Sequence, residues 1–117
     1  MNPTETGLIK WDDFQKVEIR VGTIVEAKDF PEARQPAFKL KVDFGKKIGI
    51  KKSSAQITDL YNKEDLMGKQ VIAVINFPPK QIGPMMSECL VTGFHKGNGA
   101  VVLAVPDSAA PNGARLA

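Results

Sequence analysis

Cysteine and histidine are almost missing from this chain: Cys89 and His95 stand alone among 117 residues. A single cysteine excludes an internal disulfide and fits a reducing compartment. The pair is also too small a set for a usual zinc module, whose ligands are mostly Cys and His. Cys89 and His95 fall at opposite ends of one expected strand, a poor nucleophile–base arrangement. Cys89 therefore reads as a buried small hydrophobe and His95 as an exposed turn residue. No apolar run is long enough to span a membrane, and the start of the chain lacks a basic-then-apolar signal pattern. The expected location is cytoplasmic, without membrane insertion. No Walker loop or dinucleotide fingerprint occurs, and Gly97-Asn98-Gly99 alone is a hairpin turn. Ser53 and Ser54 lie beside Lys51 and Lys52, but with no deep pocket to depress a lysine pKa they read as a binding lip rather than a Ser–Lys nucleophile. The sequence thus points away from an enzyme, with no catalytic residue, no metal and no cofactor.

What is present is an ordinary globular composition, 43% hydrophobic and 25% charged. The length fits one domain with its own core. Residues 1–10 read as an arm and 11–117 as the domain. The net charge is only +3, a weak pointer to nucleic acid. The distribution says more: Lys39, Lys41, Lys46, Lys47, Lys51 and Lys52 cluster against one acid, Asp43. Polyanion binding and a solvated, lysine-guarded strand face both remain open.

Trp11, Phe14 and Val17 recur at helical spacing, with Asp12 and Asp13 in the first turn. So short a helix must dock on something. Glu18–Asp29 reads as a long strand with Ile19, Val21, Thr23 and Val25 on its apolar face, and Gly22 marks a bulge or bend. Residues 30–36 form a loop. Phe38–Phe44 alternates cleanly, with Phe38, Leu40, Val42 and Phe44 inward. Gly45-Lys46 turns the chain, and Lys47–Lys51 returns with Ile48 and Ile50 inward. Ile57, Leu60 and Tyr61 hint at a helical turn. Asn62 caps a short helix that Gly68 stops. Strands follow at Gln70–Asn76, Cys89–Phe94 and Ala100–Val105, and an extended segment begins at Pro106. Short strands with turn signals between them, and one small helix after the third, predict an all-β, five-stranded Greek-key barrel of OB type with short helices and N- and C-terminal extensions.

The stretch Val71–Phe94 is its centre. Val71–Ile75 fits a strand buried on both faces, with a buried helix as the alternative. Phe77-Pro78-Pro79 ends it, because proline cannot donate to a ladder. The loop beyond displays Lys80, Gln81, Met85, Met86 and Ser87, groups suited to binding or to a plain surface connection.

Two segments carry a resemblance. Phe14–Ile24, FQKVEIRVGTI, resembles the opening of the tRNA-binding domain family, and Val74–Gly83 through Ser87-Glu88 resembles its second signature. Lys52–Thr58 with Asn76–Pro79 is similar to the CsaA subgroup, described as export-related chaperones. The resemblance runs from about Trp11 onward. It implies an OB fold, a homodimer, and binding without catalysis.

Two functional readings follow. In an RNA-binding module, Arg34, Lys39, Lys51, Lys52 and Lys80 would meet phosphates. Ser53, Ser54, Gln56, Asn76, Gln81 and Ser87 would bond bases or 2′-hydroxyls. Only eight aromatics exist, one Trp, one Tyr and six Phe, and stacking would depend on Phe30 or Phe77. In a peptide-binding chaperone the same cavity would use Phe77, Ile82, Met85 and Met86 as adaptable apolar contacts, with Pro79 at the loop's start. The expected partners are unfolded preproteins or export machinery, a second copy of the chain, and tRNA or another structured RNA. The alternative is an RNA module acting in trans with aminoacyl-tRNA synthetases. A plain assembly module is the third option.

Overall fold

The computed structural model describes residues 7–117; most of the arm expected over 1–10 lies outside them. In chain order the elements are α1 (Trp11–Gln15), β1 (Ile19–Asp29), β2 (Phe38–Asp43), β3 (Ile50–Ala55), α2 (Lys63–Leu66), β4 (Gln70–Val74), β5 (Lys80–Ile82), β6 (Met85–Ser87), β7 (Leu90–Val91), β8 (Gly93–His95) and β9 (Val101–Leu103). One antiparallel sheet runs β3-β2-β1-β4-β7, and two hairpins, β5–β6 and β8–β9, attach to it. The sheet curls until its edges nearly meet. Glu88 N–H donates to Lys52 O (2.7 Å), and Lys52 N–H donates to the Glu88 carboxylate (2.9 Å). The result is a nearly closed five-stranded barrel of OB type, as expected.

The core is built by alternation. Phe38, Leu40, Val42 and Phe44 point inward from β2 and its end, against Ile24, Val71, Ala73 and Leu66. Leu66 sits on α2, which is capped as the sequence predicts: Asp65 N–H donates to Asn62 Oδ1 at 2.9 Å. Gly68 then takes a positive φ of 80° and donates to Ile24 O at 2.9 Å, seating the helix under the barrel.

β1 departs from the expected phase. Ile24 is fully buried, whereas Val25, expected inside, is 40% exposed. The inward phase is already set by Gly22 and Ile24, so Val25 falls outward by alternation; the bulge between Ile24 and Glu26 in the β2 pairing then shifts the phase and brings Ala27 against the core. Gly22 is therefore not the bulge. It is a point of close packing, where an added Cβ would lie 2.6 Å from Val42 Cγ1. The second hairpin departs too. Gly45 and Gly49 both take positive φ, and Gly49 N–H donates to Gly45 O, so the turn runs through Gly49. The strand therefore begins at Ile50, which is exposed, and Ser53 and Ala55 take the inward positions.

The hint of helix at Ile57–Tyr61 resolves as a turn. Ile57 is buried there, and the Tyr61 hydroxyl accepts from Leu103 N–H at 3.0 Å. The strand expected over Cys89–Phe94 is broken at Thr92, which bonds Ile72 O through both its N–H and its hydroxyl. The loop after β4 holds a hairpin, with Lys80 opposite Ser87. Residues 112–116 run along the free half of β1, where Val21 N–H donates to Ala114 O and Leu116 N–H to Ile19 O, both at 2.9 Å. Among the described residues no helix is long and apolar enough to cross a membrane.

Candidate nucleic-acid or polypeptide interface

Two loops stand over one side of the barrel. The first, between β1 and β2, contributes buried Phe30 and Ala37; the second, the β5–β6 hairpin, contributes buried Met85, and the three form a small cluster of their own. Gly83 lies close to the first loop: its Cβ position is 3.4 Å from Glu32 O. Between these loops and the end of β3 opens a groove of about 950 Å³, lined by Arg34, Ser54, Gln56, Lys80 and Gln81 with Glu32 as its one acid. In OB barrels the loops joining strands 1–2 and 4–5 flank the ligand face, and this groove lies between those two loops.

Around the corner, Lys39, Lys41 and Lys52 project from the outer face of β2 and β3, with Lys28 beside them on β1. Glu26 pairs with Lys28 at 3.5 Å and Lys41 at 3.6 Å. Pairs as exposed as these contribute little stability, and the single carboxylate of Glu26 faces the four lysines Lys28, Lys39, Lys41 and Lys52. Lys39 Nζ sits 5.5 Å from the centroid of the Phe30 ring.

The structure thus brings Arg34, Ser54, Gln56, Lys80 and Gln81 to one groove, and Lys39, Lys52 and Met85 to the adjoining face. Phe77, Pro79 and Met86 are exposed on the segment around β5–β6. The other expected site residues are engaged in holding the fold. Ser53 is 1% exposed and its hydroxyl donates to Cys89 O at 3.0 Å. Ser87 Oγ accepts from Ser54 N–H at 3.2 Å, which ties the hairpin to β3. Asn76 Oδ1 accepts from Glu18 N–H at 2.9 Å, and its Nδ2 donates to Lys16 O at 2.7 Å, so it fastens α1 to the end of β4. Lys51 pairs opposite buried Val42, in the inward phase of β3, and does not line the groove. Lys51, Lys52, Lys80 and Asn76, all candidates for one RNA site, therefore do not converge on one groove. Phe30, buried beneath the first loop, offers no stacking surface. Glu32 and Gln35 line the groove and Lys28 the lysine face; of the loop 30–36 the sequence singled out only Arg34 as a ligand group, and Lys28 stood at the end of a strand read for its apolar face. Its flanking prolines, Pro31 and Pro36, were the available signal of a fixed loop.

Among the described residues three groups have perturbed ionisation, one of them Lys63, raised by its hydrogen bond to Asp29. Burial pushes the Cys89 thiol up to about 11. Arg20, hydrogen-bonded to Glu18, holds that carboxyl below its ordinary range, and Arg115 adds to this. Glu18 is a clasp: Oε1 takes Arg20 at 2.6 Å, Oε2 takes Arg115 at 2.6 Å, and Arg115 also donates to Gln15 O at 2.6 Å. Among the described residues no three His, Cys, Asp or Glu side chains cluster in a way that would hold a metal ion.

Comparison with known proteins places this architecture. The family model described as "Putative tRNA binding domain" matches residues 19–115. The crystal structure of chaperone CsaA from Bacillus anthracis str. Ames is similar with a TM-score of 0.89 at 46% identity, covering 95% of this chain and 100% of that one. The CsaA chaperone protein from Picrophilus torridus gives a TM-score of 0.87 at 53% identity, covering 94% and 100%. Among curated relatives, the methionine–tRNA ligase of Flavobacterium johnsoniae is 35% identical over 109 residues, which is 93% of this chain but 15% of the ligase. That of Leptospira biflexa is 40% identical over 110 residues, 94% of this chain and 16% of the ligase. The match is thus to one domain of the ligases and to the full length of the CsaA chains. On this ground the chain belongs to the tRNA-binding domain family, in its CsaA subgroup.

Proposed function

We propose that the chain is a homodimeric, CsaA-like chaperone, a non-catalytic binding protein that holds extended polypeptide, such as an export precursor, in the cytoplasm. The observation that carries this reading is the coverage of 100% of two CsaA chaperone chains at 46% and 53% identity. The groove suits the role. Gln35, Gln56 and Gln81 present amides, which both donate and accept and so match a peptide backbone of any sequence. Met86, 42% exposed and paired with Gln81 across the β5–β6 hairpin, adds adaptable apolar surface beside it. Dimerisation is supported by apolar exposure at the other end of the molecule. Leu8, Ile9 and Trp11 are each more than 60% exposed, and a five-residue helix such as α1 gains little stability by itself.

A second reading, an RNA-binding module acting in trans with aminoacyl-tRNA synthetases, is favoured by the lysine face of Lys28, Lys39, Lys41 and Lys52 next to the groove. The two separate by salt. Suppression of aggregation of a chemically unfolded reporter protein at 50 and 200 mM salt is the test of the first. Near-equal suppression at both supports polypeptide binding. RNA held through 6–10 phosphates would lose about 10³–10⁵ in affinity over that interval. A chain that leaves aggregation unchanged yet binds tRNA with such a slope belongs to the second reading. Sedimentation equilibrium at micromolar concentration tests the dimer, and a monomer mass would remove it.

A further inference from the structure

Guarding a free edge does not account for the lysines outside the groove. Lys39 and Lys41 stand on β2, which lies between β1 and β3 in the sheet and has no open edge to protect. Their register is unfavourable for the chain alone. Lys28 is directly opposite Lys39 across β1–β2, and Lys41 is directly opposite Lys52 across β2–β3. Like charges opposite one another on a sheet face are destabilising. The carboxylates nearby are already occupied. Glu26, opposite Lys41, is shared between Lys28 and Lys41. The Glu88 carboxylate accepts from the main-chain N–H of Lys52, and Asp43 accepts from Gly45 N–H. Two repulsive lysine pairs therefore sit side by side on the outer face, and the fold gives neither pair a carboxylate of its own.

We infer that this face is a second docking surface, separate from the groove, and that it takes an extended acidic segment of a partner protein. Same-face side chains recur along a strand at two residues of roughly 3.4 Å each. Lys39 and Lys41 therefore match carboxylates at alternate positions of an extended chain laid along β2. Lys28 and Lys52 flank them on the neighbouring strands, so each carboxylate falls between two ammonium groups and turns a repulsive pair into a bridged one. A single-stranded RNA would also bring negative charge, but such strands are held by stacking on aromatic rings as well as by cations. None of the residues lining this face is aromatic. Phe30, whose ring centroid is 5.5 Å from Lys39 Nζ, is only 3% exposed. The face thus offers charge without a stacking platform, which fits carboxylates on a polypeptide better than unstacked bases.

The probe is a synthetic ten-residue peptide alternating glutamate and serine, with a fluorophore for anisotropy, added to the full chain at 50 mM salt. Its analogue with glutamine in place of glutamate reports what backbone contacts alone can hold. Lys39→Gln combined with Lys52→Gln removes one cation from each opposed pair and leaves Glu26 both of its partners. Lys46→Gln combined with Lys47→Gln removes the same charge from the β2–β3 turn. The first double variant should bind the glutamate peptide roughly two- to thirtyfold more weakly, the worth of two exposed ion pairs. The turn variant should weaken it by at most about twofold, through screened long-range charge. Without peptide, the first variant should unfold in urea at the parent's midpoint or above it, because the cross-strand repulsion is relieved. Equal weakening by both variants would reduce the attraction to net charge and overturn the site. So would a wild-type chain that binds the glutamate peptide no better than its glutamine analogue, or a first variant that unfolds well below the parent. Binding of tRNA that the first variant weakens, with the glutamate peptide ignored, would overturn the inference and give the face to RNA. None of these outcomes touches the chaperone reading of the groove, which the aggregation assay decides.

Discussion

Replacing Gly22 by alanine tests the packing of the barrel most sharply. The new Cβ would lie 2.6 Å from Val42 Cγ1 and 2.7 and 2.8 Å from the Phe44 ring carbons Cδ1 and Cε1. Val42 and Phe44 are both among the largest fully buried side chains, so neither can swing aside. Two effects oppose each other. Removing glycine from a strand recovers about 0.5–1 kcal/mol of chain entropy. Overpacking a filled core costs about 1–3 kcal/mol. The steric cost wins, and a net loss of about 1–2 kcal/mol is expected. In urea, with a slope of roughly 1–3 kcal/mol/M, the midpoint should fall by roughly 0.3–2 M with the slope unchanged. In a Val42→Ala background, which removes the nearest methyl, the same substitution should cost less, because contacting sites couple. A midpoint equal to or above that of the parent would refute the close approach of β1 and β2 at this point.

Other outcomes follow from the same structure. Ser53→Ala, which strips a buried hydroxyl from Cys89 O, should cost about 1 kcal/mol in urea unfolding. The Cys89 thiol, pushed up to about 11, should ignore a thiol reagent at neutral pH until the chain unfolds; prompt labelling of folded protein would contradict its burial. Glu18→Gln should destabilise the chain at pH 7 and loosen residues 112–116 in hydrogen exchange. Because the folded pKa of Glu18 is lowered, its stabilisation is complete above the usual value of 4.5 and disappears as pH falls through the folded value. The difference between parent and variant should therefore shrink in acid, and a constant difference down to pH 2 would deny Glu18 its role. Val74→Pro should abolish folding, since β4 lies between β1 and β7 in the sheet; a variant melting like the parent would refute that placement.

The sequence carried the barrel wherever one residue pattern had one physical cause. Phe38–Phe44 alternates because one face is core, and Asn62 with Gly68 brackets α2 because both ends need backbone partners. β1 misled because a glycine, with no hydropathy of its own, holds a core position in phase with Ile24, and because the bulge at Val25 changes the phase again beyond it. Ser53 and Asn76 looked like ligand groups because polar residues in loops and strand ends usually are. Their hydrogen bonds run to Cys89 and to Lys16 and Glu18, contacts between distant parts of the chain that no local pattern records. The β5–β6 hairpin was invisible for a similar reason: its three-residue strands are held by Ser54 and Met85 contacts made across the fold. Lys80, Gln81, Gln56 and Arg34 were legible as candidates, but their convergence on one groove depended on that hairpin.

The central claim is that the groove between the first loop and the β5–β6 hairpin holds extended polypeptide. A photo-crosslinking residue placed at Gln81 in the groove, and separately at Lys47 on the β2–β3 turn, measures this directly with a chemically unfolded reporter protein as client. Cross-linking from position 81 that is competed away by excess unlabelled client, with none from position 47, is the expected result. Cross-linking from position 47 alone, or from position 81 only to RNA, would contradict it.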